Sequence, residues 1–440
     1  MLLGRMVQLG TSCLRQLAEG SETLEIRFGR FLRNQRVTVG GIIEGGSDEI
    51  ARTAAGRHVL AIQDTSELNY RTSEGRRRGL GVIGKGVGRG ILLHPMIAID
   101  ADTSECLGLV TGSIWTRPET AVPGKKKHNR ERPLSEKETR HWIETPQRAK
   151  SLLQPAAMTT MIADREADSF QLWALVPEAD VHVLGRIYHD RKLADGGTLM
   201  TAARRWPVLG TRRLTIRERG DRPEREAQLE LRAGSVTILR PLDARDPGLP
   251  DKVTLTLIEL IEPNPPDGAE PVTWRLLTTH AAPDAASAWQ IVDWYRMRWV
   301  IEQFFRILKK QGLRIEDSQV ETADRLIKLV AIAARAAVTT LQLTQARDGN
   351  SALAAALVFS PAEIAALEAA NASYSAPDAP RSNPYSDRNL PWASWIIARL
   401  GGWNGRHGKA RPPGPITFKH GLDRLHAMTK DTARGDLYVP

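Results

Sequence analysis

Two short apolar runs, each of which stops at an aspartate, constrain the fold of this chain more than any other feature. Residues 58–63 (HVLAIQ) precede Asp64, and residues 158–163 (MTTMIA) precede Asp164. Short runs that are rich in aliphatic residues and bounded by polar ones predict buried β-strands. Rigid elements of this kind often present functional side chains where they end. The sequence therefore predicts a sheet-containing core with Asp64 and Asp164 at strand ends.

Strand and helix patterns alternate along the rest of the chain. Further strands are predicted at residues 91–99, 107–114 and 181–188, and helices at about 136–153, about 167–175, 284–313 and 321–346. Residues 190–275 differ, because short apolar stretches alternate there with polar turns, as is typical of antiparallel strands. Residues 1–50 are predicted to be helical, residues 371–391 to form a linker, and residues 392–432 to form a last helical unit.

The length and composition limit the class of protein. With 440 residues, the chain is expected to form two to four domains. Its two cysteines exclude a disulfide scaffold and a cysteine-rich zinc site, and they suit the reducing cytoplasm. We find no run of about 20 apolar residues and only a poor signal peptide at the start. We therefore predict a cytoplasmic, nucleoid-associated protein with no membrane segment.

The charge of the chain favours a polyanionic partner. Lys and Arg number 61 against 51 acidic residues, which gives a net charge of +10. Residues 26–36 mix arginines with apolar residues, and Arg30 and Arg33 are candidate DNA contacts, since arginines neutralise phosphates. The alternative is an ordinary solvated helix face. Residues 125–130 form a second basic stretch, which is predicted to be a loop.

The predicted helix at 284–313 contains an unusual polar group. At about 100° per residue, four of its side chains fall within an arc of roughly 60°. These residues are Tyr295, Arg298, Glu302 and Lys309. A separate apolar stripe at helical spacing is expected to be buried, and it consists of Met297, Ile301, Phe304 and Leu308. The alternative is a plain amphipathic helix with surface ion pairs.

Three acids in this arrangement indicate a metal site. Asp64, Asp164 and Glu302 would repel one another strongly at close range unless cations were bound between them. Carboxylate oxygens select Mg²⁺ or Mn²⁺ rather than zinc. Two such ions can activate an attacking oxygen and stabilise the leaving oxygen when a phosphodiester bond is broken.

A resemblance to a known family supports this interpretation. The spacing Y-x2-R-x3-E-x6-K at residues 295–309 resembles the YREK signature of one group of insertion-sequence transposases of the DDE class. Three further segments resemble blocks of that group, in the same order along the chain. They are residues 61–65 (AIQDT), 164–168 (DREAD) and 398–403 (ARLGGW).

The resemblance implies an α/β fold with a particular domain order. An RNase H-like mixed-sheet catalytic core is expected at residues 51–345, with a β-rich insertion at about 190–275. Helical domains are expected on both sides of it. Residues 1–50 would be a shortened DNA-binding domain, and residues 346–440 would be a dimerisation domain.

The resemblance also implies roles for individual residues. Two Mg²⁺ (or Mn²⁺) ions would be bound by Asp64, Asp164 and Glu302. Phosphates of double-stranded DNA would be gripped by Tyr295, Arg298 and Lys309. Arg186 and Trp274 align with positions near the cut end, where the tryptophan stacks on a flipped base. Flipping a base costs a few kcal/mol and aromatic stacking returns about 1–3 kcal/mol; the alternative for Trp274 is a core aromatic. The active species would be a homodimer on two DNA ends.

The sequence therefore predicts a cut-and-paste DNA transposase that cleaves strands through a hairpin intermediate and transfers them. Two alternatives stay open at this stage. One is a metal-dependent nuclease of similar fold, and the other is a catalytically inactive DNA-binding inhibitor, because relatives carry more residues before the segment matching residues 24–36. Residues 79–84 (GLGVIG) fit the dinucleotide pattern GxGxxG, but three arginines precede them and dense glycine follows, so no nucleotide site is expected.

Overall fold

The computed structural model describes residues 1–70, 78–84, 88–118, 132–216, 224–349, 351–374, 382–385, 388–405 and 412–435. The predicted basic loop at residues 125–130 lies outside this part of the chain. The helices in the described residues are α1 (Leu2–Leu9), α2 (Leu14–Ala18), α3 (Glu22–Arg33), α4 (Val39–Ile43), α5 (Ser47–Ala54), α6 (His141–Leu152), α7 (Phe170–Leu175), α8 (Leu199–Ala202), α9 (Ala285–Arg296), α10 (Trp299–Lys309), α11 (Ala323–Ala346), α12 (Pro361–Tyr374), α13 (Leu390–Leu400) and α14 (Pro415–Gly435).

The described residues also form eleven β-strands. They are β1 (His58–Gln63), β2 (Ser66–Asn69), β3 (Gly81–Ile83), β4 (Gly88–Asp100), β5 (Cys106–Trp115), β6 (Met158–Ala163), β7 (Val181–Arg186), β8 (Gly210–Ile216), β9 (Arg225–Leu239), β10 (Lys252–Ile261) and β11 (Thr273–Thr278). Helices and strands together form two compact units. The first contains Met1–Ala54, Thr65–Pro123 and Val300–Pro440, and the second contains Ala55–Asp64 and Gly124–Trp299. The predicted domain boundaries at residues 50 and 345 stay predictions.

The second unit contains a large mixed sheet. Its described strands follow the order β1-β6-β7-β11-β10-β9-β8. The strands β1, β6 and β7 are parallel, and every later pairing is antiparallel. The antiparallel strands predicted within residues 190–275 are therefore present, as β8 to β11. Residues 59–63 of β1 and 159–163 of β6 are buried, as their continuous apolar runs require.

The first unit is built around one long strand and one long helix. Strand β4 pairs antiparallel with β2, β3 and β5. Helix α11 packs against β5 and against α1, α3 and α4. By length and composition α11 is apolar enough to cross a membrane, which the sequence prediction missed. However, 67% of its most apolar window is buried inside the protein, as in the core helix of a soluble domain. The GxGxxG segment contributes β3.

The predicted single helix at residues 284–313 is wrong. The structure has two helices, since α9 ends at Arg296 and α10 begins at Trp299. The backbone N–H groups of Met297 and Arg298 donate to carbonyls three residues back, which tightens the chain into a turn. The common 60° arc calculated for residues 295–309 therefore does not apply across the break. Ile301, Phe304 and Leu308 are buried as predicted, whereas Met297 is only half-buried.

The C-terminal prediction also needs correction. Helix α12 continues to Tyr374 and α13 begins at Leu390, so both ends of the predicted linker are helical; residues 375–381 and 386–387 lie outside the described part. The last helical unit consists of two helices, α13 and α14. Trp395 and Ile396 on α13 are 2% and 0% exposed within the first unit. They stabilise the chain's own core.

Candidate active site at the strand ends

The register of two parallel strands brings Asp64 and Asp164 together in the second unit. Strands β1 and β6 pair with an offset of 100 residues, from His58 opposite Met158 to Ile62 opposite Ile162. Each aspartate is two positions beyond the last of these pairs. The carboxyl ends of neighbouring parallel strands lie about 4.8 Å apart. The two carboxylates therefore leave the same edge of the sheet at the same level, and both side chains are half-buried.

Arg298 contributes a positive charge at this edge of the sheet. Its Nη1 lies 3.4 Å from Oδ2 of Asp64, and the two side chains are 18% and 16% exposed. Partial burial makes the pair less screened by salt than a surface ion pair. The Asp164 carboxylate instead accepts a 2.8 Å hydrogen bond from the backbone N–H of Glu166, which caps a short 3-10 turn. The backbone thus fixes the direction of the second carboxylate.

Tyr295 lies beside these groups on α9. Burial raises the pKa of its phenol, and the neighbouring guanidinium groups of Arg298 and Arg186 partly offset this effect. Asp164 acts in the same direction as burial. The phenol is also hydrogen-bonded to Arg298. Tyr295 therefore links the two aspartates, through Arg298 on one side and through its own proximity to Asp164 on the other.

Arg186 and Trp274 complete the group in the second unit. Arg186 ends β7 and pairs with Leu276 of β11, and its Nη2 donates to the carbonyl of Thr273 at 3.2 Å. Trp274 is half-exposed and meets the Tyr295 ring edge to face, with 6.0 Å between the ring centroids. Six predicted site residues therefore gather at one sheet edge: Asp64, Asp164, Arg186, Trp274, Tyr295 and Arg298.

The remaining predicted residues belong to the first unit. Glu302 is half-buried in the first turn of α10, and Lys309 ends that helix seven residues later, on the same face. The ammonium of Lys309 donates to the backbone carbonyl of Glu67 at 2.6 Å. Burial lowers the pKa of Lys309, and the carboxylates of Glu316 and Glu67 partly offset this effect.

Arg30 and Arg33 lie on α3 and are exposed, as DNA contacts would require. The Nε of Arg33 donates to the carbonyl of Gly29 at 3.3 Å. Ile26 and Phe31 on the same helix are 45% and 41% exposed. The helix thus presents both charge and apolar surface to solvent. Exposure alone does not separate a DNA contact from an ordinary solvated face.

Asp168 is a residue whose role the sequence did not indicate. Its side chain is fully buried and pairs with Arg191 at 2.7 Å. Its Oδ2 accepts the backbone N–H groups of Tyr188 and His189 at 2.7 and 2.8 Å. Asp168 therefore ties the segment after Asp164 to the segment after β7. The only sequence signal was a second aspartate four residues beyond the first.

The two aspartates suit a hard divalent cation. Within the described residues, no three His, Cys, Asp or Glu side chains are grouped closely enough to hold a metal ion. Asp64 and Asp164 nevertheless supply carboxylate oxygens from a rigid edge, which is the donor chemistry that Mg²⁺ and Mn²⁺ prefer. Arg298 reduces the repulsion between the two negative charges. The donor set of the second unit therefore fits such an ion.

Replacing Arg298 with alanine is expected to weaken DNA binding and to make binding less dependent on salt. Loss of one phosphate contact lowers the slope of log K against log salt by roughly one. Binding should be measured by fluorescence anisotropy between 50 and 300 mM KCl. Arg296→Ala is the matched control, because Arg296 is exposed and pairs with Asp293. An unchanged slope for Arg298→Ala would show that Arg298 pairs with Asp64 and does not contact a DNA phosphate.

Part of this chain is similar to a known protein family, and the chain is similar to a solved structure. Residues 123–339 match the family model described as "Transposase DDE domain". The matched segment includes Asp164, Glu302 and the predicted DNA contacts at 186, 274, 295, 298 and 309, while Asp64 precedes it. The chain is also similar to a chain in the cryo-EM structure of the piggyBac transposase synaptic complex with hairpin DNA, at 12% identity and a TM-score of 0.36. That similarity covers 88% of this chain and 55% of the other. The family match, which covers just under half of the chain, supports a DDE transposase domain at residues 123–339.

Proposed function

We propose that this chain is an insertion-sequence DNA transposase that cuts and rejoins DNA strands in cut-and-paste transposition. The observation that supports this most is the register of β1 and β6, which places Asp64 and Asp164 side by side. Parallel strands that end in carboxylates, inside a mixed sheet, are what an RNase H-like catalytic core would supply. The antiparallel strands β8 to β11 would be the β-rich insertion of that core.

Three carboxylates would hold the metal ions: Asp64, Asp164 and Glu302. When bound, two Mg²⁺ or Mn²⁺ ions would activate the attacking oxygen and stabilise the leaving oxygen of the phosphodiester. Arg298 holds the Asp64 carboxylate, and the Glu166 N–H orients that of Asp164. These contacts prepare the ligands before DNA arrives.

Several side chains would bind phosphate oxygens of the DNA. Arg298, Arg186 and the Tyr295 hydroxyl supply donors for phosphate oxygens beside the carboxylates, and Lys309 supplies an ammonium. Trp274 is half-exposed and held edge-on by Tyr295, so one of its faces is available to stack on a base flipped out during hairpin formation. Arg30 and Arg33 on α3 would contact the transposon end.

Cut-and-paste chemistry needs two DNA ends in one complex, so we propose a homodimer around DNA. Residues 346–440 would supply protein contacts and residues 1–50 would bind DNA, with the core at 51–345. Because Trp395 and Ile396 are buried, the dimer contact must use other side chains of α13 and α14. Such a protein would act in the cytoplasm, on the nucleoid.

A cleavage assay tests the proposal. The purified chain should be incubated with Mg²⁺ or Mn²⁺ and linear DNA that carries the sequences flanking its own coding region on both sides. Excision followed by joining to a target plasmid is the result we expect. Cutting without joining would indicate a nuclease, and binding without cutting would indicate an inhibitor. Either of these results would overturn the proposal.

A further inference from the structure

An exposed aromatic ring lies at the same sheet edge and has no role in the site described so far. Tyr188 is 63% exposed, two residues beyond Arg186 at the end of β7. The backbone N–H of Ile187 still donates to the carbonyl of Arg275 at 3.0 Å, so pairing with β11 continues past the strand. One more step in this register places Tyr188 opposite Trp274. Residues directly opposite on antiparallel strands point to the same face.

A buried ionic anchor holds the backbone under this ring. Oδ2 of Asp168 accepts the N–H groups of both Tyr188 and His189, at 2.7 and 2.8 Å. Asp168 is itself fixed by Arg191 and by the indole N–H of Trp173, at 2.7 and 3.3 Å. The His189 ring packs edge-on against Tyr188, with 5.2 Å between the centroids. The exposed ring is therefore held on a rigid support, which is how scaffolds present functional side chains.

We propose that Tyr188 is a second aromatic contact of the site and stacks on an unpaired nucleobase of the DNA. The inference rests on the proposed function, since it needs DNA at the carboxylate edge. A nucleobase fits the surroundings better than an apolar protein partner does, because Arg186 places a phosphate-binding guanidinium on the same face. Stacking on an aromatic side chain tolerates any base, so Tyr188 would add affinity for unpaired DNA without sequence preference.

Three variants test this role. Tyr188→Ala removes the ring, Tyr188→Phe keeps it, and Leu242→Ala is the control because Leu242 is 96% exposed between β9 and β10. The probes are two 30-base-pair duplexes, one fully paired and one with a single unpaired 2-aminopurine, whose fluorescence falls when it stacks. Binding of both should be titrated in Ca²⁺, so that the DNA stays intact.

We expect Tyr188→Ala to bind the unpaired probe about 5- to 150-fold more weakly and to quench it less, with no change on the paired duplex. Tyr188→Phe and Leu242→Ala should match the wild type. If Tyr188→Ala matched the wild type in affinity and quenching on the unpaired probe, the role of Tyr188 would be wrong. Cleavage of DNA by the wild type would still support the proposed function. A wild type that binds neither duplex would overturn the proposed function and this inference together.

Discussion

Replacing Asp64 or Asp164 with asparagine is expected to lower the rate of metal-dependent DNA cleavage by at least about 1000-fold. Asparagine has nearly the same shape but lacks the negative charge that binds a divalent cation. The fold should survive, because both side chains are half-buried and lie beyond the last strand residue. In Asp164→Asn, the amide oxygen can still accept the N–H of Glu166, so the local turn should be kept.

The measurement is single-turnover cleavage of end DNA in Mg²⁺, together with DNA affinity in Ca²⁺. Affinity should stay within a few-fold of the wild type, which separates a chemical defect from a binding defect. Glu166→Gln is the matched control, because it removes an exposed acid two residues beyond Asp164. If Asp64→Asn and Asp164→Asn retained more than a tenth of the wild-type rate, the two aspartates would not be metal ligands.

The sequence predicted the two strands that end before Asp64 and Asp164 well, because the signal of a short apolar run is local. Six-residue runs such as HVLAIQ and MTTMIA are too short for a typical helix and are bounded by polar residues, so they indicated strands directly. The pairing of β1 with β6 could not be predicted in this way, because the partner of a strand depends on tertiary packing. The separation of 100 residues between Asp64 and Asp164 equals the register offset, but it acquires that meaning only once the pairing is known.

The helix break at Met297 and Arg298 could not be predicted from the sequence pattern. No proline or glycine interrupts residues 285–309, and the apolar spacing runs on through the break. The turn contains two backbone hydrogen bonds to carbonyls three residues back, and no residue type in this segment predicts them. As a result Tyr295 and Arg298 were predicted correctly as neighbours, because a turn of this type preserves short-range proximity. Their predicted angle to Glu302 and Lys309 had no such support.

Burial was the other quantity that the sequence could not supply. Helix α13 lies within the expected dimerisation domain, yet Trp395 and Ile396 are enclosed by their own unit. Amphipathic spacing identifies an apolar face but not the surface that covers it. The role of Asp168 could not be predicted for the same reason, because its partner Arg191 is 23 residues away in the sequence, beyond β7.

Replacing Asp168 with alanine is expected to destabilise the protein by about 3–5 kcal/mol, the usual loss when one partner of a buried ion pair is removed. The Arg191 side chain is only 6% exposed, so its charge would stay buried without its partner. The N–H groups of Tyr188 and His189 would also lose their acceptor, and unpaired buried donors are costly. Asp168→Asn should be milder, since an amide oxygen can still accept one of these bonds.

Urea unfolding followed by tryptophan fluorescence measures this loss, and Trp173 provides a probe because its indole N–H contacts Asp168. The double variant Asp168→Ala/Arg191→Met should be more stable than Asp168→Ala, because it removes the stranded charge. Asp317→Ala is the control, since Asp317 pairs with Arg314 at 2.6 Å but both side chains are more than half exposed. Its loss should be far smaller, because exposed ion pairs contribute little. If Asp168→Ala were no less stable than Asp317→Ala, the segment after β7 would not depend on its buried anchor, and the exposed ring of Tyr188 would have to be held by other contacts.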